Sequence, residues 1–331
     1  MKKSIKTLLI SGLCLNFALS STAYADGIVD AITYDETSIT ALSTSSSFSD
    51  ISGHWAESKI LEAIDLGIVS GYTDKTFRPD KQVTRAEFAT FLTNAIKVTS
   101  TTTQNFKDVQ TDDWFYGQVQ KSVAVGIFGG YTDNTFKPGN LITRQEAAKA
   151  ISGTITTANI DGDGAIYMKD YSKVHDWAKP FVNVVFNKGY MMGYNGYYRP
   201  VDGLTRAEAV KIIYDILDNE NIEYGFNITN NGESYESAVV VGDLNILSSV
   251  GSGTVYINDV IVLGNINIIA DKVSSVVLSD VKVRNVVVQN KLNPVKITCS
   301  SNINIENAIL SANATIVKLG DNIQIKNTII Q

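Results

Sequence analysis

Residues 67–87 read GIVSGYTDKTFRPDKQVTRAE, residues 126–146 read GIFGGYTDNTFKPGNLITRQE, and residues 189–208 read GYMMGYNGYYRPVDGLTRAE. Each stretch starts with glycine, has a Gly-Tyr pair a few residues later, continues to a proline, and ends in Thr-Arg followed two residues later by Glu. Three such matches in one chain of 331 residues form an internal repeat with a period of about 60 residues.

The repeat extends upstream of these stretches. Each copy first shows an aromatic residue or methionine two places before an aspartate, and then a tryptophan. The tryptophan precedes the arginine of the Thr-Arg pair by 30, 30 and 29 residues. We therefore assign the three repeats to residues 48–105, 106–166 and 167–220. The upstream residues are Phe48, Asp50 and Trp55, then Phe106, Asp108 and Trp114, then Met168, Asp170 and Trp177.

The spacing of apolar residues predicts two helices in each repeat. In the first copy, Ile60, Leu61 and Ile64 fall at helical spacing, and Gly67 suits the left-handed position that follows a helix. A second helix is predicted to start at Thr84. One such helix pair cannot bury its own apolar stripe, whereas three pairs packed together can.

The Thr-Arg-x-Glu string has the composition of a capping box, in which the Thr and Glu side chains satisfy each other's backbone N–H groups. The pairs are Thr84/Glu87, Thr143/Glu146 and Thr205/Glu208. Capping does not need the arginine between them. A positive charge at this position is mildly unfavourable, because the helix N-terminus is already positive. Two explanations stay open: the guanidinium and the helix N-terminus bind an anion together, or the arginine forms an ion pair. Candidate partners for the pair are Asp50, Asp108 and Asp170.

The repeated tryptophans and glycines also have two interpretations each. Tryptophans pack in cores, but their faces also stack against the apolar faces of sugar rings. The glycines of the Gly-Tyr pairs supply unusual backbone angles or allow the backbone to approach a ligand closely. These glycines are Gly71, Gly130 and Gly193.

Together, these motifs closely resemble the S-layer homology domain over residues 48–218. The resemblance implies an all-α pseudo-threefold helical spindle whose grooves bind secondary cell-wall polysaccharide, often carrying ketal-linked pyruvate. It implies a non-catalytic anchor at the cell wall and surface of a Gram-positive-type envelope. By position, the implied polysaccharide-binding residues are Asp50, Trp55, Gly71 and Arg85, then Asp108, Trp114, Gly130 and Arg144, then Asp170, Trp177, Gly193 and Arg206.

The repeats also depart from this family pattern. The second repeat has Gln145 where alanine is usual, and the third has Met168 in place of phenylalanine and Met191-Met192 before its Gly-Tyr pair. We therefore expect one groove to be degenerate. Several weak sites on one polymer still hold it well, because binding at one site raises the effective concentration at the others.

Residues 221–331 have a different character, with apolar and polar residues alternating as in strands. Val255 to Val262 matches Val276 to Val283 at an offset of 21, and residues 301–307 match residues 321–327 at an offset of 20. A period near 20 predicts a small β-solenoid, with an antiparallel β-sandwich as the alternative. The chain is thus expected to be multidomain, with an all-β domain after the helical repeats.

The first 25 residues have the three parts of a secretory signal peptide: three lysines, a short apolar run, and an Ala-Tyr-Ala cleavage site. A Ser/Thr-rich leader at 26–47 follows. Removing the signal peptide changes the formal net charge from −6 to −9, which argues against general nucleic-acid binding. No membrane span is predicted in the mature chain, and its single Cys299 leaves no intrachain disulfide.

Two further functions compete with simple anchoring. A wall-anchored, glycan-active enzyme would need a positioned pair of carboxylates, but the nine acids of the β-domain are spread singly and it has no tryptophan. We therefore expect no enzyme activity, no metal and no cofactor. The other alternative is a role in S-layer assembly, in which exposed strand edges of the β-domain bind other surface-layer proteins.

Overall fold

Each repeat folds as a helix, a loop and a second helix, as the spacing predicted. The computed structural model describes residues 48–156, 164–290, 292–320 and 322–331, so the signal peptide and the leader lie outside the described residues. The helices are α1 (Glu57–Asp65) and α2 (Arg85–Ala95), α3 (Tyr116–Ala124) and α4 (Arg144–Ile151), and α5 (Lys179–Asn187) and α6 (Arg206–Asn219). Among the described residues, no helix is long and apolar enough to cross a membrane.

The capping boxes form at the start of α2, α4 and α6, which confirms that prediction. The Glu87 N–H donates to Thr84 Oγ1 (3.2 Å), and the Thr84 N–H donates to Glu87 Oε2 (2.8 Å). The first helix of each repeat is followed by a glycine with a positive φ of 68° to 79°, a conformation that glycine adopts without a steric penalty. These glycines are Gly67, Gly126 and Gly189.

The three repeats close into a ring. The residues just before α2, α4 and α6 form short antiparallel bridges that join each repeat to the next and the third back to the first. Large side chains from all three repeats, among them Phe77, Phe136 and Tyr198, are fully buried at the centre. Burying each of them stabilises the fold by roughly 1.5–3 kcal/mol. This ring is the predicted pseudo-threefold spindle.

The described residues of the β-domain form a solenoid of ten strands, and all of their strand pairs are parallel. Parallel pairing excludes the β-sandwich, whose sheets are antiparallel. The strands are β1 (Ile222–Glu223), β2 (Phe226–Ile228), β3 (Ser234–Val240), β4 (Leu244–Ile246), β5 (Thr254–Ile268), β6 (Ser275–Val288), β7 (Val295–Cys299), β8 (Ile303–Leu310), β9 (Ala314–Lys318) and β10 (Ile323–Ile330).

The register of the solenoid confirms the sequence offsets. Val255 pairs with Val276, and Asn307 pairs with Asn327, so equivalent residues stack in columns. One column is a ladder of asparagines in which each Nδ2 donates to the Oδ1 of the coil before it, at 2.7–2.9 Å. The ladder consists of Asn265, Asn285, Asn307 and Asn327.

The solenoid packs side-on against the helical domain. Val239, Val241, Ile261 and Leu263, from neighbouring coils, belong to the same buried cluster as the helices. Arg284 adds a polar contact, because its Nη1 donates to the carbonyl oxygen of the last residue of α3, Ala124 (2.9 Å). The two domains therefore share one apolar core rather than being joined by a linker alone.

Candidate functional site

A pocket of about 250 Å³ lies where the three repeats meet. Three predicted binding residues line it, each from a different repeat: Arg85 from the first, Gly130 from the second, and Trp177 from the third. Glu146 and Lys149 of α4 line it as well. The pocket thus offers an aromatic face, two cations and one carboxylate.

Arg85 reaches from α2 into the second repeat. Its Nε donates to the Phe136 carbonyl oxygen (3.0 Å), its Nη2 donates to that of Gly129 (3.4 Å), and its Nη1 lies 3.4 Å from Glu146 Oε1. Only 6% of Arg85 is exposed. The arginine therefore connects two repeats while one edge of its guanidinium borders the pocket.

Glu146 is the carboxylate of the pocket, and its surroundings favour the ionised form. Burial alone would raise its pKa, but hydrogen bonds from Thr143 and Tyr131, together with the charge of Arg85, lower the pKa below its usual value. The Tyr131 hydroxyl donates to Glu146 Oε1 (2.8 Å), and burial with this bond raises the Tyr131 pKa to about 12. The hydroxyl therefore stays protonated as a donor at neutral pH.

The same arrangement recurs around the ring. Arg144 Nε donates to the Tyr198 carbonyl oxygen (2.7 Å), and Arg206 Nε donates to that of Phe77 (2.8 Å). Burial lowers the pKa of both arginines. Each arginine also pairs with the capping-box glutamate of the following repeat, Glu208 at 3.6 Å and Glu87 at 3.2 Å.

The proposed ion pairs of these arginines with Asp50, Asp108 and Asp170 are therefore wrong. Each of these aspartates instead accepts two backbone N–H bonds within its own repeat, at 2.7–2.8 Å. For Asp50 the donors are Phe77 and Arg78, and Arg78 has a φ of 57°. The carboxylate thus stabilises a left-handed residue in the loop before the second helix.

The anion-site hypothesis requires free N–H groups at the helix N-termini, but the first two N–H groups of α2, α4 and α6 already have partners. The Arg85 N–H donates to the Asn140 carbonyl oxygen (2.8 Å), and the Ala86 N–H donates to that of Pro138 (3.1 Å). Equivalent bonds occupy the first two N–H groups of α4 and α6. These donors bind the turn of the next repeat, so the helix ends contribute no free N–H pair to an anion at those positions.

The tryptophans are on the surface, so the core-packing interpretation is wrong. Trp55, Trp114 and Trp177 are 60%, 67% and 45% exposed. They stand just before the first helix of each repeat. The Lys149 Nζ lies 5.7 Å from the centre of the Trp177 ring.

The glycines serve close packing. A Cβ on Gly71 would lie 1.9 Å from the Phe48 ring, and one on Gly130 would lie 2.3 Å from the Phe106 ring. Gly193 has a φ of +82°, which favours glycine. The group that approaches Gly71 and Gly130 closely is thus an aromatic side chain of the same repeat, whereas the sequence analysis had offered a ligand for that position.

This geometry of three interlocked repeats agrees with a family comparison. Residues 47–89, 105–148 and 167–210 each match the family described as the S-layer homology domain. The chain carries three S-layer homology domains. Domains of this family are modules of cell-wall and cell-surface anchoring.

Several proteins resemble part of this chain. The Surface-layer 125 kDa protein of Lysinibacillus sphaericus is 34% identical over 147 residues, which cover 44% of this chain and 12% of that protein. The Amylopullulanase of Thermoanaerobacterium thermosulfurigenes is 31% identical over 207 residues, 59% of this chain and 11% of the relative. The Cellulosome-anchoring protein of Acetivibrio thermocellus is 33% identical over 169 residues, 47% and 36% of the two chains. The match therefore spans only about a tenth of the first two relatives.

The third S-layer homology repeat differs from the other two in its loop. Tyr72 and Tyr131 each donate a hydrogen bond to the capping-box glutamate of their own repeat, whereas Tyr194 is 71% exposed. Arg199 Nη2 takes its place and donates to Glu208 Oε1 (3.2 Å). The groove bordered by this loop therefore has a second guanidinium where the others have a tyrosine hydroxyl.

Tyr131 and Lys149 line the pocket but were not among the predicted site residues. Tyr131 belongs to the Gly-Tyr pair that recurs in all three S-layer homology repeats, so the repeat itself could have pointed to it. Lys149 gives a weaker signal, because the equivalent positions hold Thr90 and Lys211 and the lysine thus recurs in only two of the three repeats. Only the fold shows that Lys149 faces the same pocket as Trp177.

Proposed function

We propose that this protein is a non-catalytic anchor that binds secondary cell-wall polysaccharide in the grooves between its S-layer homology repeats. The observation that carries the proposal is the pocket lined by Arg85, Gly130 and Trp177 from three different repeats. A half-exposed indole beside polar groups is a surface on which a sugar ring stacks while its hydroxyls find partners.

The charge of the pocket supports an anionic glycan as the ligand. Arg85 and Lys149 stand against one carboxylate, Glu146, so the lining residues have a net positive charge. Positive charge held in a concave site attracts anions even on an acidic protein. A carboxylate such as that of ketal-linked pyruvate meets this requirement, and we propose the pyruvylated polymer as the ligand.

The ring symmetry extends the proposal to two more grooves. Their residues would be Arg144, Gly193 and Trp55 in one, and Arg206, Gly71 and Trp114 in the other. We propose that Asp50, Asp108 and Asp170 serve binding indirectly, by fixing the loops that border the grooves.

The test is co-sedimentation of the mature chain with purified cell-wall sacculi, before and after acid stripping of their secondary polymer. Trp177→Ala is expected to weaken binding about tenfold, in line with the loss of one good stacking partner. Tyr167→Ala is the matched control, because Tyr167 is an exposed aromatic residue of the same repeat outside the pocket. Binding that survives stripping, or equal losses in both variants, would contradict the proposal.

One observation favours assembly as a second function. The last coil of the solenoid leaves one side of β9 and β10 without a described strand partner, and Ile330 on β10 is 72% exposed. Exposed strand edges pair with other strands. We propose a second copy as the partner, and sedimentation velocity of the mature chain tests it: Ile330→Lys should abolish a concentration-dependent dimer, and a wild-type chain that stays monomeric would exclude it.

A further inference from the structure

The solenoid places a lysine against the end of a repeat helix. Val239, Ile261 and Lys282 occupy one row across three neighbouring coils, and the first two belong to the core shared with the helices. The row therefore faces the helical domain, and Lys282 continues it. A Cβ built on Gly153, just beyond α4, would lie 3.5 Å from Lys282 Nζ.

Lys149 lies on the same end of α4. It is exposed, it lines the pocket, and its Nζ is 5.7 Å and 6.0 Å from the rings of Trp177 and Phe181. The equivalent lysine of the third repeat, Lys211, forms an ion pair with Asp215. Lys149 has no carboxylate partner within the parts of the chain that the structure describes.

Lys282, like Lys149, has no carboxylate partner among the described residues. Across the described ranges it makes no ion pair, and the nearby Glu306 pairs with Arg284 instead (3.6 Å). Burial lowers the pKa of Lys282, and the positive charge of Lys149 lowers it further. Two ammonium groups that act on each other without a carboxylate between them destabilise the free protein, although the carbonyl end of α4 offsets part of this cost.

We propose that Lys149 and Lys282 form an anion subsite at the junction of the second repeat and the solenoid, continuous with the Trp177 pocket. The ligand is a carboxylate or phosphate substituent of the wall glycan whose sugar ring occupies that pocket. This inference rests on the proposed function, and it makes the solenoid a part of the binding surface. An anion between the two ammonium groups accepts a charge-assisted hydrogen bond from each.

The first test separates a binding role from a structural one. Lys282→Met keeps the aliphatic stem and removes the charge. We expect this variant to have a higher Tm than the wild type in buffer and to bind sacculi about fivefold more weakly, because functional sites commonly cost stability. Lys272→Met, at an exposed lysine of the same solenoid, is the control and should change neither quantity. A lower Tm with unchanged binding would overturn the proposal, because Lys282 would then only cap α4.

The second test uses small anions at constant ionic strength. Pyruvate or inorganic phosphate should raise the Tm of the wild type, and not that of Lys282→Met or of Lys149→Met; whichever anion acts identifies the substituent. Because Lys149 is exposed, its variant keeps the test valid if Lys282→Met fails to fold. If the wild type does not bind sacculi but one anion raises its Tm, and this rise needs both lysines, the proposed function is refuted while the subsite is supported. Equal stabilisation of all variants would refute the subsite.

Discussion

At the scale of single residues, the arginine of each Thr-Arg pair has the largest structural role. Arg206 donates to the carbonyl oxygens of Phe77 and Ser70 and to Glu87, all in the first repeat and more than a hundred residues away in sequence. The capping boxes around these arginines were predictable because they are local. The partners of the arginines were not, because a long side chain that crosses to another repeat leaves no local spacing to detect.

Removing this guanidinium should be costly. Arg206→Met removes the donor to the buried Phe77 carbonyl oxygen and the cation that pairs with Glu87, and breaking a buried pair in this way costs about 3–5 kcal/mol. Urea unfolding measures the loss. Arg78→Met, at a half-exposed ion pair on the surface, is the control and should cost under about 1 kcal/mol. Equal losses would show that the buried position of Arg206 has no special effect.

Glu146 gives the fold a dependence on acid. Its pKa is lowered in the folded state, so its contribution to stability is present above the pKa of the unfolded chain and is lost as the pH falls through the folded value. We expect Glu146→Gln to have a lower Tm than the wild type at pH 7, and the difference to shrink below about pH 4. A difference that stayed constant from pH 7 to pH 3 would contradict this account.

At the scale of elements, the solenoid depends on its columns. The 20- and 21-residue offsets predicted the register correctly, because parallel coils stack identical positions on one another. The sequence could not tell which way the tryptophans of the helical repeats point, since each stands just outside a helix, where helical periodicity no longer applies. Exposure at such a position follows from the packing of the neighbouring repeat.

The asparagine ladder should be measurable by substitution. Asn285 donates to Asn265 and accepts from Asn307, so Asn285→Ala breaks two rungs and should cost about 1–3 kcal/mol. Asn304→Ala, at an exposed position on β8, should change the urea midpoint little. Similar shifts in both variants would mean that the ladder adds nothing beyond ordinary strand pairing.

At the scale of the whole molecule, the two domains share a core, which the sequence did not show. The change from helical to alternating pattern near residue 220 marks where one domain gives way to the other, but it carries no information about contact between them. The alternating pattern does not distinguish Val241 and Ile261 from the other apolar residues of the solenoid. Only the fold shows that they pack with the helices.

This shared core predicts coupled unfolding. All three tryptophans lie in the repeats, so their fluorescence reports on the helical domain alone. We expect Ile261→Asp, a change in the solenoid, to lower the urea midpoint seen by tryptophan fluorescence, because a buried charge at the junction is unfavourable. Tyr256→Ser, at an exposed site on the same strand, should leave it in place. A fluorescence midpoint that ignored Ile261→Asp would show that the domains unfold independently.

The closed ring of arginines has a consequence for how such a protein could strengthen its attachment. Because the third repeat binds back to the first, no repeat is terminal. A fourth repeat inserted in the chain would have no free neighbour for its arginine to bind. The number of grooves per chain is thereby fixed. In the proposed role, tighter binding to the wall comes from several copies of the protein on one polymer, and not from adding repeats to a single chain.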